Sequence, residues 1–293
     1  MLDTDKFIAK PYTRVALDNY TTNHTAGLDN KNEGKALRAE HIEKLIELQD
    51  KMYAQERYAV LLIFQGIDAS GKDSTIKHVV SGINPQGCKV ISFAAPSTRE
   101  LKHDFLWRTY KVLPEKGMIG IFNRSYYEEV ITSRVHPEFI LKQKIPKIYS
   151  ADDIDLQFWE NRFRAINSME KHLYQSGTLI LKFYLHLSRV EQKKRLLKRI
   201  HKEHKNWKFD ISDIHERAHW KLYADAFEKT INHTSTPHAP WHIIPADNKW
   251  YMRTAVSHIL VEAMEKLNIR YPKVTPQQSE NIETARRMLE NEN

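Results

Sequence analysis

The run Gly66-Ile67-Asp68-Ala69-Ser70-Gly71-Lys72 fits G-x-x-x-x-G-K and follows an apolar stretch directly. Glycines at both ends let the backbone curl so that successive N–H groups point inward. A helix that starts there adds its positive end, and the lysine reaches an outer phosphate. The chemistry implied is the holding of a phosphoanhydride. The position after the lysine, where a Ser or Thr hydroxyl would hold magnesium, is Asp73. Asp68 inside the loop sets a carboxylate among inward N–H groups. It would repel phosphate unless a cation bridged the two, so Asp68 is a candidate metal ligand, with capping of the following helix as its other use.

Further along, a short apolar run ends in Asn123-Arg124, where folds of this kind usually place a metal-directing Asp. Asparagine orients a water or a phosphate but brings no charge, so the carboxylates are expected from Glu128 and Glu129. Arg124 and Arg134 fit phosphate by bidentate contact, against the competing reading of ordinary helix-surface charge. From His186 to Lys208 there are nine Lys or Arg residues against two acids, Glu191 and Glu203. A solvated helix face is the usual meaning of such a run, but beside a phosphate loop a surface for a polyanion is the better one. His215-Glu216-Arg217-Ala218-His219 matches H-E-x-x-H. With 15 histidines in the chain, no third ligand at a downstream spacing and a use for Glu216 as capping partner of Asp213, it reads as a chance match and not a zinc site.

The elements that must position these groups alternate. Ile42, Leu45, Ile46, Met52 and Tyr53 mark an amphipathic helix. Strands are expected at 58–65, 89–93, 118–122, 178–187 and 241–245, the first apolar on both faces as in a buried parallel strand. A helix is expected at 72–80. The capping box Ser97-Glu100 predicts another to about Tyr110. One more is expected after Ser125, and one over 150–176 closed by Gly177. The basic helix follows, then one opened by Asp213 and Glu216, and a last amphipathic one at 250–267. This pattern gives an α/β domain with a parallel sheet covered on both faces and ligands at the carboxyl ends of the strands. Residues 1–34 read as an N-terminal arm, 35–271 as a single domain with a lid at about 189–210, and 272–293 as a C-terminal tail.

The 293 residues, 41% of them apolar, suffice for one large domain. The N-terminus lacks the apolar stretch of a signal peptide and the longest apolar run is too short to cross a bilayer, so no membrane is expected. The single cysteine, Cys88, excludes an intramolecular disulfide and fits a reducing cytoplasm. Six tryptophans in a chain of formal charge +8 raise nucleic-acid binding, with Trp207 and Trp250 beside Lys208 and Lys249 as candidate base contacts. No recognition-helix, RNP-type or zinc-finger pattern accompanies them, and nucleic acid is not expected.

The chain resembles the family-2 polyphosphate kinases from about Tyr58 to Tyr271. The resemblance rests on Gln65 to Asp73, Asn84-Pro85-Gln86-Gly87, His103-Asp104-Phe105-Leu106-Trp107-Arg108, Gly120 to Glu128, Arg134-Val135-His136, Asn206-Trp207-Lys208-Phe209, and Pro240-Trp241 through Lys249-Trp250. Asp after the loop lysine is itself a mark of that family. Ser74, where the family commonly has glycine, is a departure expected to be tolerated at a helix start. The resemblance implies a P-loop, thymidylate-kinase-like three-layer fold with a basic helical lid. It implies reversible transfer of a phosphoryl group between polyphosphate and an adenine or guanine nucleotide, most like the branch acting on both AMP and ADP. Magnesium is the implied ion, with manganese as its substitute, and a dimer or tetramer the implied assembly. Gly66, Ala69, Ser70, Gly71, Lys72 and Asp73, with Asn123, Arg124, Arg134 and Lys208, would bind phosphates or nucleotide. Asp68, Lys72, Arg124, Glu128, Arg195 and Arg199 would carry the chemistry, with Asp68, Glu128 and Glu129 on the metal. The alternatives are an ATP-dependent nucleoside monophosphate kinase and a basic nucleic-acid-binding protein.

Overall fold

The computed structural model describes residues 2–25, 27–207 and 209–292. In chain order the elements are β1 (Ile8–Ala9), α1 (Lys31–Gln55), β2 (Ala59–Gln65), α2 (Lys72–Val79), β3 (Cys88–Ser92), α3 (Trp107–Tyr110), β4 (Ile119–Asn123), α4 (Thr132–Val135), α5 (Glu138–Leu141), α6 (Leu156–Gln175), β5 (Thr178–His186), α7 (Arg189–Ile200), α8 (Glu203–Asn206), α9 (Ser212–Ala218), α10 (Trp220–Thr234), β6 (Trp241–Pro245), α11 (Lys249–Glu265) and α12 (Pro276–Glu290). The five strands expected from the alternation all form, each within one residue at either end.

They make one sheet in the order β1-β6-β5-β2-β4-β3. All neighbours are parallel except β1, which runs antiparallel along β6. Every residue of β2 is buried, as its continuous apolar sequence requires of a central strand covered on both faces. One core layer packs α1, α2 and α11 on the sheet through residues such as Leu45, Met52, Ile76, Met252 and Leu260. The other sets Ile140, Trp159, Phe163, Ile166 and Phe227 of α5, α6 and α10 on the opposite face. The register pairs Phe64 of β2 and Ser92 of β3 with Asn123 of β4. The carboxyl ends of three adjacent strands are thereby level, and the loops leaving them share one edge of the sheet.

The structure corrects several expectations. The arm is not only irregular: it supplies β1, which covers the β6 edge and leaves one fewer row of unpaired backbone groups. Asn30 caps α1 by accepting from the N–H groups of Asn32 and Glu33, so that helix begins inside the expected arm. The Ser97–Glu100 capping box forms with both bonds present, yet it opens only a 3-10 turn at Glu100–Lys102. The chain turns extended at His103, and Asp104 then accepts from the Leu106 N–H to start the short α3. Likewise, the helix expected after Ser125 is a 3-10 turn at Tyr126–Glu129 followed by α4 and α5. Asp213 and Glu216 do not cap α9, because their carboxylates are taken by tertiary partners: Arg199 in the first case, His136 and Tyr223 in the second. No helix among the described residues is long and apolar enough to cross a membrane.

Candidate active site

The phosphate loop joins β2 to α2 through backbone that only particular residues tolerate. Gly66 has φ 153°, and a Cβ there would lie 2.9 Å from Ser70 Oγ and 3.1 Å from the Leu185 carbonyl. Gly71 sits at φ 107° as N-cap of α2, a left-handed conformation that L side chains rarely adopt. Between them Ala69 holds φ 61°, a strained value for a residue with a Cβ. Thr75 and Ser74 donate their hydroxyls to the Gly71 carbonyl at 2.9 and 3.0 Å, which accommodates a serine at the helix start. Lys72 is buried, and its Nζ donates to the carbonyls of Gly66 at 2.6 Å and Ile67 at 3.3 Å. Burial, then the nearby Arg124 charge, pulls its pKa down to about 8, against opposing pulls from Asp68, Glu128 and Asp73.

Arg124 organises the acids around this lysine. It too is held in left-handed backbone, at φ 62°, where its N–H donates to the Phe64 carbonyl of β2. Its Nη2 donates to Asp68 Oδ1 at 2.6 Å and its Nη1 to Glu128 Oε2 at 3.3 Å. Glu128, then Asp68, keeps the guanidinium firmly protonated. Thr132 donates its hydroxyl to Glu128 Oε2 at 2.6 Å, and the Gln65 amide lies between Glu128 Oε1 and Ser125. Asn123 donates its amide to Asp73 Oδ1 at 2.8 Å. The carboxylate after the loop lysine and the amide at the end of β4 have thus exchanged the usual places of acid and neutral partner, and the exchange leaves them hydrogen-bonded. The turn carrying Arg124 and Glu128 is fixed from beneath. Tyr126 and Tyr127 each donate a hydroxyl to Glu170 Oε1 at 2.7 Å, and Lys182 donates to Glu170 Oε2 at 2.7 Å.

The basic helix α7 faces the loop, but its two arginines do not do what their charge alone implies. Arg195 is 6% exposed and donates to the carbonyls of Ala69, Ser70, Ala246 and Asp247 as well as to Glu191. It braces the loop and does not reach into the cleft as a free cation, because backbone oxygens and Glu191 consume its donors. Arg199 lines the cleft while its Nη1 donates to Asp213 at 2.9 Å. Gln192, which no sequence motif marks, donates to the Asp68 carbonyl at 3.0 Å. Between loop and α7 opens a cleft of about 770 Å³ lined by Asp68 to Ser74, Asn123, Arg124, Lys198, Arg199, Trp207 and Lys249, among others.

Two expected site residues lie elsewhere. Glu129 points away from Glu128 into the core, where it accepts from Arg162 at 3.0 Å and Gln143 at 2.7 Å and is nearly inaccessible. Neighbours on a 3-10 turn face different ways, so only one of the two glutamates reaches the loop. Arg134 stacks over Trp159, its guanidinium carbon 4.2 Å from the ring centroid, with burial lowering its pKa. Lys208 falls outside the described residues. Of the two tryptophans considered for base contact, Trp207 lines the cleft at 78% exposure, whereas Trp250 packs on Gly34, where a Cβ would lie 2.5 Å from its ring. Lys249 and Thr132 were missed as site residues, since helix-terminal and short-helix polar residues carry no spacing signal.

The acids fit a divalent ion that completes its shell with phosphate oxygens and water. Asp68 and Glu128 meet on one guanidinium, and no three acid, His or Cys side chains converge among the described residues. One or two carboxylates are what magnesium takes from a protein when a phosphate chain supplies the rest, while calcium- or zinc-type cages need more.

The family model described as polyphosphate kinase 2 matches residues 27–272. The ADP-polyphosphate phosphotransferase of Rhodopseudomonas palustris is 45% identical over 288 residues, covering 98% of this chain and 99% of that protein. The AMP/ADP-polyphosphate phosphotransferase of Meiothermus ruber is 40% identical over 270 residues, 92% of this chain and 95% of its own. Among solved structures, polyphosphate kinase 2 from Arthrobacter aurescens TC1 superposes with a TM-score of 0.84 at 38% identity, over 92% of this chain and 91% of that one.

Proposed function

The chain belongs to the polyphosphate kinase 2 family, and on that premise we propose that it moves the terminal phosphoryl group of inorganic polyphosphate onto ADP and AMP, reversibly, giving ATP and ADP. The observation that carries this is a phosphate loop opening into a cleft whose walls include Lys72, Arg124, Lys198, Arg199 and Lys249. Polyphosphate offers no base to recognise and must be held through repeated charge, which such walls supply. ADP is the acceptor that the names of both relatives share, and AMP is the one we add from the Meiothermus ruber name.

Phosphoryl transfer passes through a loose, charge-dispersed transition state, so positioning and cations provide most of the acceleration. Lys72 leaves the Gly66 and Ile67 carbonyls and follows the transferred group. Arg124 and Arg199 take its oxygens, while Arg195 acts as a positioning residue that holds the loop backbone. Asp68 and Glu128 would hold magnesium, or manganese in its place, which would neutralise phosphate charge. Attack is in line and direct, with no phosphoenzyme. Incubation with magnesium, long-chain polyphosphate and ADP or AMP, without added ATP, is expected to yield ATP or ADP respectively. Transfer seen only when ATP is the donor would overturn the polyphosphate assignment.

The Lys72 pKa has a consequence for binding. Polyphosphate favours the ammonium form, so above a pH of about 8 the free protein must take up a proton to bind, and below it need not. Affinity for polyphosphate is therefore expected to hold up to pH 8 and to fall by up to about tenfold per pH unit beyond it. Calorimetric titrations in buffers of different ionisation enthalpy read both the fall and the proton uptake. A flat affinity through that range would mean that Lys72 does not meet the chain.

A further inference from the structure

One match from the sequence has no part in the proposed reaction: His215-Glu216-Arg217-Ala218-His219, which lies on α9 and the residue after it. No residue of α9 is buried, and its apolar residue Ile214 is exposed, as is Ile211 just before the helix. A helix of 7 residues without an apolar anchor is not stable by itself, so polar contacts must fix its place. Three of its side chains make them. Asp213 accepts from Arg199 of α7, Arg217 donates to Gln192 Oε1 at 2.7 Å, and Glu216 Oε2 accepts from the Tyr223 hydroxyl at 2.6 Å and from His136 Nε2 at 2.9 Å. A carboxylate only accepts, so His136 Nε2 carries a hydrogen. Burial, then Glu216, raises the Tyr223 pKa, and the phenol stays a donor.

Both carboxylates of the proposed metal pair are tied to these contacts. His136 directly follows the one-turn helix α4, and its N–H donates to the Thr132 carbonyl at 2.9 Å. At the other end of that turn the Thr132 hydroxyl donates to Glu128. On the opposite wall Gln192, held by Arg217, donates to the Asp68 carbonyl at 3.0 Å. Asp68, Arg124, Glu128, Thr132, Glu216 and Tyr223 line one small cavity of about 30 Å³. A shift of α9 therefore moves Glu128 through α4 and Asp68 through Gln192 together. We propose that His136 is a positioning residue: by gripping Glu216 it fixes α9, and α9 sets Asp68 and Glu128 at the two ends of the Arg124 guanidinium. The assignment rests on phosphoryl transfer taking place at those three residues. It gives Glu216 of the H-E-x-x-H match a use as the acceptor that joins two walls of the site.

His136→Leu removes the grip and keeps most of the volume. Its kcat is expected to fall about thirtyfold, the range of a hydrogen bond to a charged group, while KM for ADP and for polyphosphate stays within about twofold. His136 and Glu216 are both partly exposed, so Tm should stay near that of the parent. His136→Gln, whose amide still donates to Glu216, is expected to restore most of the loss. Glu216→Leu should lose at least as much as His136→Leu, and the double variant should be no worse than Glu216→Leu alone. Hydrogen exchange of the free protein reads the same contact without turnover: in His136→Leu it should quicken over 212–218 and 126–135 and stay unchanged in β2 and β5. Unchanged kcat, a loss confined to KM, a fall in Tm that accounts for the lost activity, or a double variant in which the two losses multiply would overturn the positioning role. If the parent transfers from ATP alone, the donor assignment fails, and the same kcat ratios read with ATP still decide this one.

Discussion

Lys72→Ala is expected to lower kcat by about a thousandfold while leaving the protein folded. Removing one preorganised donor from a site of developing oxyanion charge costs two to three orders of magnitude. Here the donor is a full cation, buried and aimed at the loop interior. The fold should not suffer, because in the free protein the ammonium meets only two loop carbonyls, and burying it uncompensated is itself unfavourable. Thermal unfolding should show a Tm equal to or above that of the parent, with KM for the nucleotide little changed. Asp68→Ala should lose comparable turnover for a different reason: it frees Arg124 from one of its two carboxylates and, on the proposed assignment, takes away a carboxylate that would hold the metal. Near-normal turnover in either variant would show that the reacting phosphate sits elsewhere.

The second large effect is on stability. Lys182 and Glu170 are both 0% exposed and meet at 2.7 Å, with Tyr126, Tyr127 and the Thr234 carbonyl completing the network. Burial, then Glu170, raises the pKa of both tyrosines, so they remain donors at any working pH. Lys182→Met leaves the Glu170 carboxylate buried with its charge unpaired and is expected to cost about 3–5 kcal/mol. Replacing both, as Lys182→Met with Glu170→Leu, removes the charge together with its partner and should recover most of that loss. Denaturant unfolding of the single and double variants measures both numbers. A single variant within about 1 kcal/mol of the parent would mean that the pair is not the anchor it looks to be. Because Tyr126 and Tyr127 lie between Arg124 and Glu128 on one turn, activity should fall further than stability in the single variant, through the placing of those two residues.

The chemistry of the loop was readable from seven residues and the strand before them, because phosphate binding by backbone N–H groups needs glycine at fixed places and little else. Four of the five parallel strands were equally readable, since a strand buried on both faces is largely apolar; β3, at the sheet edge with Lys89, Val90 and Ser92 exposed, does not owe its pattern to burial. Helices after Ser97 and Ser125 were not. Their local signals were correct, as the intact Ser97–Glu100 capping box shows, but a cap only starts a helix. Continuing one depends on what the next turns pack against.

Charge was the least readable property of all. Glu128 and Glu129 are adjacent and identical in type, yet one pairs with Arg124 at the loop and the other with Arg162 in the core. Arg195 and Arg199 share a basic helix and one cleft wall, and one is buried against four backbone carbonyls while the other pairs with Asp213. A sequence states how many charges there are and on which segment. It cannot state which are already neutralised, because a salt bridge or hydrogen bond acts over a few ångströms of space between residues far apart in the chain. By itself the sequence determined that this protein holds a phosphate chain on a parallel α/β sheet. Only the tertiary structure decided which of its many cations remain available to hold one, and that Asp73, the residue out of place after the loop lysine, is kept there by the Asn123 amide fifty positions away.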